Sequence, residues 1–253
     1  MANLRPLIKL AYCAVIIALL AASSAYALVN GMPLTETDTL VRINFGGSKS
    51  VCTGFFVNPT TILTAAHCLY SAPTMLWSVS ELSISNDVVL AVTVERLVPH
   101  PLYRLGEHQG NDIGLIKTSA FATKNPMFKL SKESPMWWGT VDLMGAGKID
   151  IARNVYGRSR GTSSYFRFGS DIYIMGRSQD TDHPGKGVTI APNDSGGPIL
   201  EPLNGEVIAV ASRTTVTSTS GTVIPAISIG TLLNTAENQR FILENLSRNP
   251  SKF

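Results

Sequence analysis

Apolar residues along this chain gather in short runs, each closed by residues that extended backbone does not hold. Leu40 to Phe45, Thr53 to Val57, Val88 to Leu97, Ile113 to Lys117, Val141 to Met144, Ile172 to Met175, Val207 to Ala211 and Val223 to Ile229 read as strands. Asn58-Pro59, Gly145-Ala146-Gly147, Pro184-Gly185 and Asn204-Gly205 punctuate them, because each supplies a φ value or a break that a strand cannot carry. Most runs are too short for helices, so the pattern predicts an all-β protein. One helix is expected at the C-terminus: Asn234 as cap with Glu237 three residues on, an apolar face of Phe241, Ile242 and Leu246, and Pro250 as stop. Ser119 to Pro135 is richer in Lys, Ser and Pro and is the candidate linker between two β units.

The first stretch reads as a secretory signal. Arg5 and Lys9 make a positive start, Leu10 to Ala22 is almost continuously apolar, and Ala25-Tyr26-Ala27 has the small-x-small pattern of a cleavage site. The apolar run is shorter than the ~20 residues that cross a bilayer. Cleavage after Ala27 leaves 226 of the 253 residues and lowers the formal charge from +3 to +1. That balance argues against a nucleic-acid partner held by bulk charge. Arg153, Arg158, Arg160 and Arg167 with Lys148 are read as a solvated face. No second apolar run suggests a membrane span, so the expectation is a secreted monomer, extracellular or periplasmic.

Cys13 leaves with the signal, and only Cys52 and Cys68 remain. Export puts them where a disulfide persists, and two buried free thiols are the alternative.

Three segments carry reactive groups. In Leu63-Thr64-Ala65-Ala66-His67-Cys68 a histidine follows a strand-like run, where it can act as general base and then general acid. In Asn111-Asp112-Ile113-Gly114-Leu115-Ile116 an aspartate precedes an apolar strand, so its carboxylate can be partly buried and orient an imidazole. In Asn193-Asp194-Ser195-Gly196-Gly197-Pro198 glycines after a serine permit a sharp turn that brings N–H groups near a reacting carbonyl. Each alone is more often structural than catalytic.

Together, in the order His, Asp, Ser, these segments resemble the trypsin/chymotrypsin-like serine protease family, whose signatures are T-A-A-H-C, D-I-x-L and G-D-S-G-G-P. Leu28-Val29-Asn30-Gly31 is similar to the family's mature N-terminus, Cys52-Thr53-Gly54 with Cys68 to its disulfide around the histidine, and His100-Pro101-Leu102-Tyr103 to a segment that precedes the aspartate, which makes His100 structural. Gly145-Ala146-Gly147 stands where Gly-Trp-Gly is frequent. The resemblance implies two six-stranded antiparallel β-barrels with a C-terminal helix. The first, 28–130, would carry His67 and Asp112, and the second, 131–253, Ser195.

It further implies a catalytic triad of His67, Asp112 and Ser195, an oxyanion hole from the N–H groups of Asn193 and Ser195, and an activating ion pair between the Leu28 amine and Asp194. Signal cleavage would itself free that amine. Asn193 replaces the usual Gly, and tolerates left-handed backbone better than most residues. Asn193-Asp194-Ser195 also matches a glycosylation sequon, which is read as accidental. The substrate pocket falls to Thr189 at its floor, with Ser212, Arg213, Thr214 and Ala226 around it. A neutral floor does not pair with buried Lys or Arg, and side chains at Thr214 and Ala226 narrow the space, which points to small uncharged residues before the cut. Ala191 stands where one member of a cysteine pair is usual, and Arg213 where the family has Trp.

Partners are then protein or peptide substrates, with room for protein inhibitors. No cofactor or metal is expected. The rival reading is a catalytically silent protease-like binding or regulatory module, kept open by Asn193 and Arg213. A metal-dependent hydrolase using His100, His108 and His183 lacks any tight ligand spacing.

Overall fold

The computed structural model describes residues 28, 31–34, 39–45, 51–70, 77–82, 88–105, 110–119, 125–150, 155–177, 185–191, 193–215 and 225–247. The signal segment through Ala27 with Cys13, and also His108 and His183, lie outside the described residues.

A two-residue strand, β1 (Met32–Pro33), precedes two sheets. The first sheet is built from β2 (Leu40–Phe45), β3 (Val51–Asn58), β4 (Thr61–Thr64), β5 (Trp77–Leu82), β6 (Val88–Val92), β7 (Val94–Pro99) and β8 (Gly114–Thr118), with a one-turn helix α1 (Ala66–Tyr70) after β4. Its spatial order is β6-β5-β2-β3-β4-β8-β7, and its pairings are antiparallel. Chain direction reverses at short connections such as Pro59-Thr60, where Asn58 Oδ1 accepts the Thr60 N–H at 2.9 Å and holds the turn.

The second sheet contains β9 (Trp138–Gly145), β12 (Ser159–Phe168), β13 (Asp171–Arg177), β14 (Pro198–Leu200), β15 (Val207–Thr215) and β16 (Pro225–Leu232), with a separate pair β10 (Lys148–Asp150) and β11 (Val155–Tyr156) beside it. Pairing runs β12-β13-β16-β15-β14-β9, and β9 pairs again with β12, so these six strands close into a barrel. Closure leaves no free edge among them. Along β12 buried and exposed residues largely alternate, the two-residue period of a strand with one face inward.

One of the two expected six-stranded barrels is therefore present as such. The first unit is instead a seven-stranded sheet, and among the described residues no pairing joins its outer strands β6 and β7. It curls enough for β5 to approach β7.

Each sheet encloses a core. Phe55, Phe56, Ile62, Leu115 and Ile116 fill the first, and Val141, Tyr165, Ile172, Ile174 and Ile199 the second. The chain ends cross between them. Leu28 is buried in the second core and β1 pairs with β12, whereas the C-terminal helix α2 (Ala236–Ser247) packs Phe241 and Ile242 into the first. The connecting stretch is laced to both sheets: Phe128 N–H donates to Phe56 O at 3.0 Å and Ser131 N–H to Val207 O at 2.9 Å.

The helix is capped one residue later than predicted, at Thr235 rather than Asn234. Thr235 Oγ1 accepts the Asn238 N–H at 3.2 Å, while Asn234 is engaged elsewhere, donating through Nδ2 to Glu133 O. Its far end is held by Lys117, whose buried ammonium donates to Asn245 O at 2.5 Å and to Thr61 Oγ1 at 2.9 Å. Asn245 O is one of the last carbonyls of the helix and needs an outside donor. Lys117→Met keeps the apolar stem and removes both bonds. It should cost about 1–3 kcal/mol, read as a fall in the denaturant midpoint with an unchanged slope, and with no change in the secondary structure of the two sheets.

Candidate active site

The site lies where the two sheets meet. Strand β4 is fully buried and delivers the chain into α1, whose second residue is His67. Its ring sits over Asp112, just before β8, with Nδ1 at 2.8 Å from Asp112 Oδ2, and the His67 backbone N–H donates to Asp112 Oδ1 at 2.8 Å. A third donor comes from the other sheet: Ser212 Oγ donates to Asp112 Oδ2 at 2.5 Å.

Asp112 is only 4 % exposed. Burial alone would raise its pKa, but the hydrogen bond and charge of the His67 ring, the Ser212 hydroxyl and the His67 N–H together outweigh burial and hold the carboxyl below the ordinary range. An ionised carboxylate facing Nδ1 fixes the proton there and leaves Nε2 as the basic nitrogen.

The Cys52–Cys68 disulfide joins β3 to α1 and closes the pairing expected by resemblance. Sγ of Cys68 lies 3.6 Å from His67 Nε2 and 3.7 Å from Ser195 O, so the basic nitrogen and the serine backbone flank the same sulfur.

Ser195 sits on a double turn. Asp194 N–H donates to Ala191 O at 3.1 Å and Gly197 N–H to Asp194 O at 2.9 Å. The third residue of each turn is left-handed: Asn193 at φ 78° and Gly196 at φ 90°. A Cβ on Gly196 would come within 2.1 Å of Thr64 Oγ1 and 2.2 Å of Thr53 O, so only glycine fits there. Asn is among the few other residues that adopt such a φ. The turn is clamped from the first sheet, since Thr53 N–H donates to Ser195 O at 2.9 Å and Thr53 Oγ1 to Asn193 O at 3.0 Å.

Ser195 Oγ donates to Ser212 O at 3.2 Å. Ser212 therefore bridges the hydroxyl and the carboxylate, accepting from one and donating to the other. A register shift between Ala211 and Arg213 accounts for its position: the bulge turns Ser212 out of the β15 ladder toward Asp112. Among the described residues neither the Asn193 nor the Ser195 N–H meets a protein acceptor.

Sequence and fold agree on a family. The family model described as Trypsin matches residues 29–232. The chain belongs to the trypsin family. A relative from Corynebacterium glutamicum strain R, named an uncharacterized peptidase, is 26% identical over 217 residues, 78% of this chain and 66% of the relative. This chain thus spans just under two thirds of that relative's length. Among solved structures, one of a Glu endopeptidase in complex with MPD superposes with a TM-score of 0.66 at 18% identity, covering 90% of this chain and 99% of that one. Neuropsin, a serine protease of mouse brain, superposes with a TM-score of 0.64 at 16% identity, covering 87% and 99%. The trypsin-family chain described here has the mostly-β chymotrypsin-like fold of both.

Asp194, the residue before Ser195 in this trypsin-family chain, is fully buried. It accepts N–H bonds from Gly147 and Ala191, both at 2.9 Å, and among the described residues no cation meets it. Burial pushes its pKa well up against those two bonds. In the intact chain the Leu28 N–H donates to Ser159 Oγ at 2.7 Å rather than to Asp194.

At the expected pocket Thr189 is buried, its methyl over Gly176. Thr214 Oγ1 donates to Ile190 O at 2.8 Å and lies 2.9 Å from Ser228 Oγ, which accepts the Ile190 N–H at 2.9 Å. Arg213 is half-buried in β15, and its charge acts on Tyr103 and Asp171. Ala226 lies in β16 opposite Gly176, and its side chain is outside the described residues. His100 is buried, with its ring 4.6 Å from that of Phe241 and its backbone N–H donating to Ile113 O at 3.0 Å.

Sequence reasoning missed the direct role of Ser212, the clamping by Thr53 and the presence of Ser228. Ser212 had the clearest signal, since it stands where the family keeps a serine.

The depressed Asp112 pKa has a sign. A folded-state value below the ordinary ~3.9 adds stability at pH above that range, lost as pH falls through the folded value. Asp112→Asn should therefore be less stable than the parent at neutral pH, with the difference vanishing on acidification, as followed by chemical denaturation from pH 7 to pH 2.

Proposed function

We propose that this protein is a secreted serine endopeptidase. Ser195 Oγ attacks the scissile carbonyl while His67 Nε2 takes its proton. The imidazolium is stabilised by Asp112. Collapse of the tetrahedral adduct breaks the C–N bond, and the departing amine takes the proton from Nε2. Water then enters by the same path and releases the acid. The N–H groups of Asn193 and Ser195 receive the oxyanion, and losing one such donor typically costs about 100- to 1,000-fold in turnover. The observation that carries the reading is the Asp112 carboxylate bound at once to the His67 ring and to Ser212, the residue that also accepts the Ser195 hydroxyl.

The preferred residue before the cut is small and uncharged. The supporting observations are the buried, neutral Thr189 and the Thr214 side chain, whose hydroxyl is tied to Ile190 O and Ser228 Oγ. Turnover of a peptide library by the purified protein should favour such residues and vanish with Ser195→Ala. A preference for Lys or Arg overturns the specificity, and cleavage undiminished in Ser195→Ala overturns the mechanism.

Secretion also sets activation in this proposal. Cleavage after Ala27 frees the Leu28 amine, which pairs with Asp194. A buried carboxylate without a counter-charge weighs against the intact chain, and a cation reverses that balance. In the intact chain the raised Asp194 pKa favours folding below the ordinary carboxylate range, and that advantage is lost as pH rises through the folded value. A chain beginning at Leu28 should thus gain stability over the uncut chain as pH rises from about 4, and only the former should turn over peptide. Active protein with another N-terminus contradicts this.

A further inference from the structure

Two consecutive left-handed residues, Gly110 at φ 59° and Asn111 at φ 56°, lead into Asp112. Gly110 takes such a φ freely and Asn111 tolerates it better than most residues, so the pair makes a sharp turn whose direction is set by the hydrogen bonds on either side of it. On the C-terminal side Ile113 N–H donates to Asn111 O at 2.8 Å, and His100 N–H to Ile113 O at 3.0 Å. On the N-terminal side the hold comes from the other sheet. Gly110 N–H donates to Asp171 Oδ2 at 3.3 Å, the first residue of β13.

Asp171 is itself fixed. It is 2 % exposed, faces Thr231 across the β13–β16 ladder, and accepts Thr231 Oγ1 on Oδ1 at 3.4 Å. Its neighbour Ser170 accepts Leu232 N–H at 2.9 Å. The contact between the sheets is close here, since a Cβ on Gly110 would stand 2.5 Å from Ser170 Oγ. A buried carboxylate gains by accepting such donors, and the one it takes from the first sheet lies two residues from the triad aspartate.

We propose that Asp171 is a positioning residue: by holding the Gly110 N–H it sets the turn that aims the Asp112 carboxylate at His67. Asp112 is thus located by the second sheet twice, directly through Ser212 and through the backbone by Asp171. Burial raises the Asp171 pKa against the Gly110, Arg213 and Thr231 contributions, with the Asp112 charge adding to the rise, so the two carboxyls sense one another.

The kinetic half of this inference rests on the peptidase reading; the geometric half does not. Its test is therefore read twice. In the wild-type protein the proton on His67 Nδ1, in a charge-assisted bond to Asp112, should give a far-downfield NMR resonance. Asp171→Ala should move it upfield or lose it, lower kcat by about 10- to 100-fold and leave KM within about twofold. Asp171→Asn keeps an acceptor oxygen for Gly110 and should restore the resonance and most of the rate. An unshifted resonance in Asp171→Ala overturns the proposal, as does Asp171→Asn failing as badly as alanine, because charge rather than the bond would then matter. If Asp171→Ala does not fold, Thr231→Val decides: it frees Asp171 Oδ1 at nearly constant volume, and an unchanged resonance counts against the proposal. A wild type without turnover defeats the peptidase reading alone, since the resonance is measured regardless.

Discussion

A carboxylate kept charged inside the protein is the constraint on which this structure turns. Asp112 is nearly inaccessible to water, and an ionised group in that position persists only if enough donors surround it. Three reach its oxygens: the His67 ring, the His67 backbone N–H and the Ser212 hydroxyl. Two come from the first sheet and one from the second, so neither sheet alone satisfies it. The same bonds that make the charge tolerable also fix the tautomer of His67. Electrostatic satisfaction and orientation of the imidazole are one requirement here.

The neighbouring turn answers a different need. Ser195 stands on backbone that most residues do not adopt, with Asn193 and Gly196 both left-handed, and its carbonyl is held by Thr53 of the first sheet. Each sheet therefore supplies part of the other's reactive geometry. Thr53 reaches from the first sheet to Ser195 and Asn193, and Ser212 reaches from the second to Asp112. Asp194, in the same turn, is buried, accepts N–H bonds from Gly147 and Ala191, and meets no cation among the described residues.

Much of this was legible in the sequence because the chemistry sits in short segments. His67 beside Cys68, Asp112 before an apolar strand, and Ser195 between Asp194 and two glycines each carry their own local signature, and the strand runs are short enough to declare an all-β fold. What escaped depends on contacts between distant residues. A threonine such as Thr53 has no pattern that announces a clamp on a turn some 140 residues away, and nothing around Asp171 signals that its carboxylate will meet Gly110. The helix cap was misplaced by one residue because Asn234 and Thr235 are both good caps, and the choice was made by Glu133, whose carbonyl engages Asn234. Two closed barrels were expected by resemblance. Only the second sheet closes among the described residues, since closure is a property of strand register that apolar runs do not encode.

The central claim is that the junction of the sheets turns the Ser195 hydroxyl into a nucleophile with His67 as its base. Intact-mass and peptide-mapping mass spectrometry after treatment with a fluorophosphonate tests it most directly. The account predicts one covalent adduct per chain, mapped to Ser195 and abolished by His67→Ala. A protein that stays unmodified, or one labelled equally well without His67, would contradict it.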